Sequence, residues 1–549
     1  MSEAAPATVK LGGKAAWYAL VLIVLVQAMS LLDRQVLAIL VPRIRADLGV
    51  GAAEMGLLYG TVFALFYAIF SLPLGRLADG WIRTKLLSLS ILGWSLMTAL
   101  AGFASGFGLL ALSRLGVGIG EASAQPAGMS LLADSFPKEK RGMTSAAMAI
   151  AVALGLGAAL FVGAVVVENW DAAWPGGAGA PLGLKGWQAA FIVAALPGLP
   201  LAWLLWRLPE PVRGAADGIA PPADPHPFRA SAQTLVAILP LGVWANFARA
   251  RASGRLWLAN LAGLAIIASA VLLLNRWTDG LRPVNPVAME IRGLGLQLTG
   301  NQIQWIVSGF GAYVLLNWLQ SLKLADRPTY AVIARSPAMR LLIAVSSLQT
   351  IINYGVMAWT PTYLSQHFGL SLTKVALEFG TLITLLGIIG PLIAGPCSDW
   401  INKRLPGGRL YVTLGSLVIY PPIAVWTYWA DDVGSFYLRF TAFSLTLTMW
   451  LPPVYAGLVD LVLPRMRGMA MSFNILTMTI VGMGLGPYAV GMMSDLNGGD
   501  LRAAISNLFW LSPLIALLTL FLVLRFPRDE ALLIARARAT PEKDYDGDR

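Results

Sequence analysis

The chain has 549 residues, of which 57% are hydrophobic and 13% charged, and its mean hydropathy is +0.68. Soluble chains carry about 25% charged residues, so this composition excludes an ordinary soluble enzyme and indicates a protein whose main solvent is lipid. The formal charge of +11 could suggest nucleic-acid binding, but the basic residues are spread between apolar runs. We therefore expect no nucleic-acid partner.

Fourteen apolar runs approach or exceed the roughly 20 residues that a membrane-spanning helix needs. Backbone polar groups have no partners in hydrocarbon, so each run is predicted to be a helix. The predicted spans are 16–42, 54–74, 86–104, 108–132, 143–167, 187–208, 256–274, 303–321, 340–364, 374–396, 410–429, 437–462, 468–492 and 504–526. The expected fold class is an all-α polytopic membrane protein.

Most of the 40 lysines and arginines lie in alternate connections and in the two tails. This positive-inside bias predicts a multi-pass protein of the cell (inner) membrane with both termini in the cytoplasm. The first apolar run is too long for a cleavable signal peptide, so we expect it to remain as a membrane anchor. With one cysteine, Cys397, and two histidines in connecting segments, we expect no metal and no cofactor.

Two short patterns occur twice, once in each half of the chain. A glycine and an aspartate four residues later follow the second span, and the same pair recurs 320 residues further on. An arginine that shortly follows a proline recurs at an offset of 326. The pairs are Gly75/Asp79 with Gly395/Asp399, and Pro137/Arg141 with Pro464/Arg467. Two matches at nearly one offset predict two similar six-helix halves.

The predicted domains are a first bundle (1–210), an insertion (211–337), a second bundle (338–530) and a cytosolic tail (531–549). Within the insertion, the apolar stretch 234–248 contains Pro240 and is too short to span, so we interpret it as interfacial or re-entrant. The spans 256–274 and 303–321 would be two extra helices, an even number that keeps both aspartate-bearing loops on one side. In the tail, Ala531–Ala539 is expected to be a solvated helix.

The run from Gly75 to Lys85 resembles the signature loop between helices 2 and 3 of major facilitator transporters. The resemblance implies two six-helix bundles, here with two inserted helices, and a transporter rather than an enzyme. A carboxylate at a helix end can bind basic side chains and face the N-terminus of a helix in the other half. The predicted cytoplasmic latch consists of Gly75, Asp79, Arg83 and Arg141, with Asp399, Arg404 and Arg467 in the second half. Ordinary topogenic charges would explain its basic residues, but not the repeated glycine and aspartate.

Helix 1 carries Asp33 and Arg34, and helix 4 carries Arg114 and Glu121. A charge at mid-bilayer costs roughly 2.5–3.5 kcal/mol, so all four need partners or water. Residues seven apart share one helix face about 10 Å apart along the axis, so two acids and two bases could interleave between these helices. A static structural network is the alternative.

These four residues lie in runs that resemble the Spinster-type branch of the family: Leu32-Asp33-Arg34-Gln35, Arg114 to Ala122, Phe136 to Arg141, and Trp359-Thr360-Pro361. That branch is associated with export of lysolipids and phosphorylated sphingoid bases, and proton coupling is suggested for its bacterial members. The resemblance implies that Asp33 and Glu121 are proton-sensitive acids, and that Arg34 and Arg114 are counter-ions or hold an anionic headgroup. A usual member of this branch has twelve spans, so the two extra spans are a departure from it. Inserted helix pairs resemble those of proton-coupled oligopeptide transporters, but the spaced glutamates in helix 1 of those transporters are absent here.

The second half is poor in deep charge, and its expected cavity-facing residues are aromatic and amide. The candidates are Asn353, Tyr354, Trp450, Tyr455 and Asn474, with Tyr59 from the first half. Aromatic residues in such helices also serve in packing or face lipid, so each position has this second interpretation. A charged wall opposite an apolar wall suits an amphipathic solute.

The sequence therefore predicts a monomeric, proton-coupled secondary transporter that works by alternating access on an amphipathic anion such as a lysophospholipid or sphingoid lipid. Its partners would be membrane lipid, protons and the solute. A proton symporter of small organic anions, such as sugar acids or aromatic carboxylates, is the first alternative. A non-transporting membrane sensor and an intramembrane hydrolase find less support, because neither a large signalling domain nor a nucleophile with an orienting base is recognisable.

Overall fold

The computed structural model describes residues 11–137, 141–213, 225–282, 287–291, 296–462 and 466–532. The predicted tail helix Ala531–Ala539 lies almost entirely outside the described residues, as does the side chain of Arg141. Nearly all of the described chain is helical, which confirms the predicted fold class.

The first part of the chain forms six rods, three of which are broken. The breaks fall at Gly60, at Ala122–Ser123 and at Leu196–Pro197. The helices are α1 (Lys14–Leu48), α2 (Ala52–Tyr59), α3 (Thr61–Gly80), α4 (Arg83–Ala101), α5 (Phe107–Glu121), α6 (Ala124–Ser135), α7 (Arg141–Ala173), α8 (Gly186–Ala195) and α9 (Gly198–Arg207). Gly60 is required where it stands, because a Cβ there would lie 2.4 Å from the carbonyl oxygen of Met483 in the second part of the chain.

The central insertion contains a sharply bent helix pair, two long helices and a short hairpin. Its elements are α10 (Pro227–Ile238), α11 (Pro240–Arg249), α12 (Gly254–Leu281), β1 (Val287–Ile291), β2 (Leu296–Thr299), α13 (Gly300–Ala325) and α14 (Arg327–Arg335). The segment predicted as interfacial or re-entrant is the α10–α11 pair, which bends by 101°. Pro240 has no N–H to continue the helix. The carbonyl of Ile238, at the end of α10, accepts from Asn317 Nδ2 on α13 at 3.0 Å.

The last part of the chain again forms six rods. Its helices are α15 (Pro337–Phe368), α16 (Leu372–Asn402), α17 (Arg409–Tyr428), α18 (Val433–Thr448), α19 (Leu451–Asp460), α20 (Arg467–Thr477), α21 (Gly484–Leu496), α22 (Leu501–Leu508) and α23 (Ser512–Ala531). A π-helical segment, Met478–Met483, joins α20 to α21. Such segments often occur at functional sites.

Among the described residues, twelve helical stretches are long and apolar enough to cross a membrane. The α5–α6 rod and α13 are also long, but both are more polar than these twelve stretches. The α5–α6 rod carries Arg114 and Glu121, and α13 carries several amide side chains. The observed helices are compatible with the predicted fourteen spans. Both predicted extra spans lie within α12 and α13.

We call the end of the bundle that carries the α3–α4 and α16–α17 connections the loop side, and the opposite end the far side. The two six-helix parts meet closely at the far side, where α2 packs on α21 and α7 packs on α16. Gly491 and Gly56 allow this approach, because a Cβ on either would lie within 2.4 Å of backbone atoms in the opposite part. Small residues at helix interfaces let backbones come close in this way.

Candidate functional site

The four buried charges of α1 and α5 come together in the first six-helix part. Arg34 Nη2 lies 2.9 Å from Glu121 Oε2, which also accepts from Ser30 Oγ at 2.8 Å. Arg114 Nη1 donates to the backbone carbonyl of Asp33 at 2.9 Å. The contact predicted between the charges of the first and fourth spans, which are α1 and α5 here, is therefore present for one acid–base pair.

The second acid–base pair differs from the prediction. Arg114 binds backbone carbonyls of α1 and not the Asp33 carboxylate, whose polar neighbours are Thr98 and Trp94 on α4. Asp33 is fully buried, and neither of its carboxylate oxygens has a hydrogen-bond partner among the described residues. The reason is geometric: Asp33 and Arg34 point about 100° apart on one helix, so they face different neighbours.

A small cavity of about 150 Å³ lies between the two six-helix parts, and Arg34 forms part of its wall. The Arg34 guanidinium stacks on the rings of Phe63 at 4.6 Å and Tyr67 at 5.0 Å. We call this the central cavity; its polar lining is Arg34, Tyr67, Gln125, Thr350, Tyr354, Tyr455 and Thr479. A cation on an aromatic face, ringed by hydroxyl and amide groups, can bind an anion.

Two of the six cavity residues predicted from sequence, Tyr354 and Tyr455, line the central cavity. The other four are packed elsewhere. Tyr59 is 1% exposed and donates to Gln35, and Trp450 is 2% exposed in an apolar cluster. Asn474 accepts a hydrogen bond from Ser346 at 2.7 Å. Asn353 accepts one from Gln349 at 3.3 Å. Aromatic and amide residues also serve in packing, and the sequence pattern does not separate the two roles.

Four lining residues of the central cavity were not predicted from the sequence: Tyr67, Gln125, Thr350 and Thr479. A signal existed for Gln125, which follows Glu121 by four residues and would share its helix face. Tyr67 likewise precedes Gly75 of the signature loop by eight residues, which again places both on one face. Thr350 and Thr479 carry no comparable signal, because the predicted spans 340–364 and 468–492 contain no charge near their middle from which to count.

At the loop side, Arg83 has other partners than the predicted Asp79. Its guanidinium is fully buried, 2.5 Å from Asp134 Oδ2 and 2.7 Å from Glu210 Oε1. The exposed Asp79 accepts through its backbone carbonyl from Arg213. Burial explains the choice: a guanidinium inside the bundle requires carboxylates that are also inside, and Asp79 is not.

The second half repeats this arrangement. Arg409 lies 3.0 Å from Asp399 and also pairs with Asp460, so Arg409 takes the place predicted for Arg404. Arg404 instead stacks over the Trp400 ring at 3.8 Å, and Arg467 is exposed at the start of α20. The pairs Arg83–Asp134 and Arg409–Asp460 are related by the same 326-residue offset as Arg141 and Arg467.

A third charged cluster lies at the far side and joins both six-helix parts to the insertion. Arg282, just after α12, is 2.8 Å from Glu54 of α2 and 2.9 Å from Asp495 of α21. Asp495 also accepts from the backbone N–H groups of Ala52 and Ala53, each at 3.0 Å. Burial alone would lower the pKa of Arg282, but the hydrogen bonds and charge of Glu54, with the charge of Asp495, raise it.

Two repeated six-helix parts enclosing a buried, charged cavity define a polytopic membrane transporter, not an enzyme. The family model described as Major Facilitator Superfamily matches residues 23–478. The chain belongs to this superfamily, and the expected fold and transporter class are confirmed.

Among similar proteins, an MFS-type efflux pump of Mycolicibacterium smegmatis is 22% identical over 493 residues, covering 90% of this chain and 87% of that protein. The Probable L-galactonate transporter of Escherichia coli is 32% identical over 197 residues, covering 35% of this chain and 40% of that protein. Protein spinster of Drosophila melanogaster is 26% identical over 217 residues, covering 40% of this chain and 33% of that protein.

A solved structure, the crystal structure of a bacterial homolog to the human lysosomal transporter Spinster, superimposes with a TM-score of 0.65. The two chains are 19% identical, and the match covers 96% of this chain and 99% of the other. At this identity the likeness establishes the fold, which agrees with the resemblance to the Spinster-type branch seen in the sequence.

Proposed function

We propose that this secondary transporter moves an amphipathic anion, such as a lysophospholipid or sphingoid lipid, by alternating access coupled to protons. It would act as a monomer in the cell (inner) membrane, with both termini in the cytoplasm. The first six-helix bundle would end near residue 210, and the second would begin near residue 338. The observation that carries the proposal is the position of Arg34, a buried cation on the wall of a cavity shared by the two six-helix parts.

Arg34 can exchange one anionic partner for another without leaving its place. Its guanidinium stacks on Phe63 and Tyr67, so its position does not depend only on Glu121. A solute carboxylate or phosphate that entered the central cavity would compete with Glu121 for Arg34. Tyr354 and Tyr455 belong to the second part of the chain, so rocking of the two parts would remove them from the bound anion.

Protons would act through Glu121 and Asp33. Protonation of Glu121 would remove its charge and release Arg34 for the solute. Asp33 is surrounded by Arg114, Glu121, Thr98 and Trp94, but its buried oxygens form no hydrogen bond with the described residues. A buried ionised carboxyl group without hydrogen bonds is costly, so we assign Asp33 as the group that holds the coupled proton in the observed conformation.

The loop-side clusters would keep each half rigid while the halves rock. Arg83 connects α4, α6 and the chain after α9, all within the first half, and Arg409 connects α16, α17 and α19 within the second. The signature residues Gly75, Asp79, Asp399 and Arg467 would form contacts between the halves when the loop side closes. Arg141, whose side chain lies outside the described residues, is retained in this proposal on sequence grounds.

The experiment is transport in proteoliposomes with and without an imposed proton gradient. Asp33→Asn and Glu121→Gln should lose gradient-driven accumulation while retaining solute exchange at equal pH on both sides. Glu378→Gln is the matched control, because Glu378 is an exposed acid on α16 that pairs with Lys374. Accumulation by Asp33→Asn and Glu121→Gln at the parent's level and pH profile would refute proton coupling through these residues.

A second candidate, a proton symporter of small organic anions, is favoured by the small size of the central cavity and by the similarity to a probable L-galactonate transporter. Both candidates use Arg34 to bind the anion. Competition between short-chain and long-chain anions for uptake separates them, because only an amphiphile transporter should favour the longer chain.

A further inference from the structure

A cavity of about 670 Å³ lies at the loop side. It lies between α3 and the start of α20, and much of its wall comes from α10 and α13 of the insertion. Binding pockets for drug-sized ligands fall in the same range of volume. The insertion therefore forms a cavity that the two six-helix parts would not form alone.

The loop-side cavity lies next to the central cavity along the same helices. On α3 the lining passes from Tyr67 in the central cavity to Ser71 and Gly75 in the loop-side cavity, one turn at a time. On α20 it passes from Ile475 to Ser472. Each step of one turn is about 5.4 Å, so a solute with its head at Arg34 would need to extend only about 10 Å to enter the loop-side cavity.

The insertion gives this cavity an apolar wall. Ile238, Trp318 and Leu322 line it and are 2%, 6% and 5% exposed. Trp318 also stacks on Phe473 of α20, with ring centroids 4.8 Å apart and planes 13° apart. The wall therefore touches the second half of the transporter while belonging to the insertion.

The same wall is fixed by one hydrogen bond to the first half and by one within the insertion. Ser231 on α10 donates to the carbonyl of Pro73 on α3 at 2.7 Å. Ser321 on α13 donates to the carbonyl of Ala237 on α10 at 3.0 Å. The apolar surface is thus held beside the signature helix α3, next to the route from the central cavity.

We infer that the loop-side cavity binds the alkyl tail of a single-chain amphiphile whose anionic head is at Arg34. This inference rests on the proposed function and gives the inserted helices a role: they set which chain lengths the transporter accepts. A short organic anion at Arg34 would not reach the insertion, so the insertion would not affect its transport.

The test fills the cavity and compares anions that share a head but differ in tail. Ala237→Trp and Ala230→Trp each place a large ring on the α10 wall. Ala268→Trp is the matched control, because Ala268 is exposed on α12 of the same insertion. Uptake of butyl phosphate and hexadecyl phosphate is measured in proteoliposomes for the parent and the three variants.

We expect the apparent affinity for hexadecyl phosphate to fall by about tenfold in Ala237→Trp and Ala230→Trp, since excluding a few methylene groups from an apolar wall has at least this effect. Butyl phosphate uptake should stay at the parent level, and Ala268→Trp should behave as the parent. Equal losses for both phosphates, or no loss in either cavity variant, would overturn the tail site and leave the anion site at Arg34 standing. A parent protein that carries only butyl phosphate would refute both the amphiphile proposal and the tail site.

Discussion

Arg282 lies 2.8 Å from Glu54, and this contact ties the insertion to the first half at the end of the molecule where the two halves meet most closely. The same guanidinium reaches Asp495 of the second half at 2.9 Å. One arginine thus neutralises two acids from opposite halves. The insertion takes part in closing the far side as well as in forming the loop-side cavity.

Removing this arginine should open the far side. Arg282→Gln would leave the buried Glu54 without its cation and close to the like charge of Asp495, and an uncompensated buried charge costs about 3–5 kcal/mol. With Cys397→Ser as background, the buried Met55→Cys reports opening through its rate of labelling by a water-soluble maleimide. We expect the rate to rise by about tenfold or more.

Arg45→Gln is the control for this measurement, because Arg45 also carries positive charge but lies 3.7 Å from Asp495 and is more exposed than Arg282. It should change the rate little. Equal labelling of Met55→Cys with and without Arg282 would show that the far side is closed by packing alone.

The two loop-side arginines should differ in their contribution to stability. Arg83 is fully buried, so Arg83→Gln removes a buried guanidinium from Asp134 and Glu210, at a cost of about 3–5 kcal/mol. The Arg409 side chain is 25% exposed and solvent screens its pairs, so Arg409→Gln should cost about 1 kcal/mol. Thermal unfolding in one detergent compares the two, and an equal or larger loss for Arg409→Gln contradicts the ranking.

Arg34→Lys should weaken solute binding although it keeps the charge. Lysine loses the planar contact with Phe63 and Tyr67, and together with poorer geometry towards the solute this should raise KM by about tenfold. Arg34→Gln should abolish transport. Arg404→Lys is the control, because Arg404 stacks on Trp400 at 3.8 Å outside the cavity. Unchanged KM in Arg34→Lys would argue against Arg34 as the anion-binding group.

An amide network inside the insertion should be needed for its stability. Asn260 is fully buried, accepts from Trp244 and Tyr313, and donates to Asn317 and Gln320. Hydrogen bonds between membrane helices average about 0.6 kcal/mol, so Asn260→Ala should lower the free energy of unfolding by about 1–2 kcal/mol.

The comparison variant for the amide network is Asn275→Ala. Asn275 lies on the same helix and donates locally to Asp279 at 2.9 Å, without joining two helices. It should shift the unfolding midpoint much less than Asn260→Ala. A network that only fills space would give the two variants similar midpoints.

Part of the site followed from local sequence, because a charge inside an apolar run must find a partner. Asp33, Arg34, Arg114 and Glu121 were recognisable for this reason, and the spacing of Arg114 and Glu121 correctly placed Glu121 within reach of Arg34. The surroundings of Asp33 were not predictable. Helix period fixes the direction of a side chain relative to its own axis, but the rotation of α1 against α4 and α5 decides what lies there.

The sequence by itself determined the membrane class, the repeated halves and the presence of an insertion, since apolar run length and charge position are properties of single segments. Tertiary structure decided which charges meet: Arg83 pairs with Asp134 and not with Asp79, and Asp399 pairs with Arg409 and not with Arg404. It also placed the insertion against both halves. Such contacts join residues from separate helices, and their geometry depends on crossing angles and close backbone approach, which local patterns do not encode.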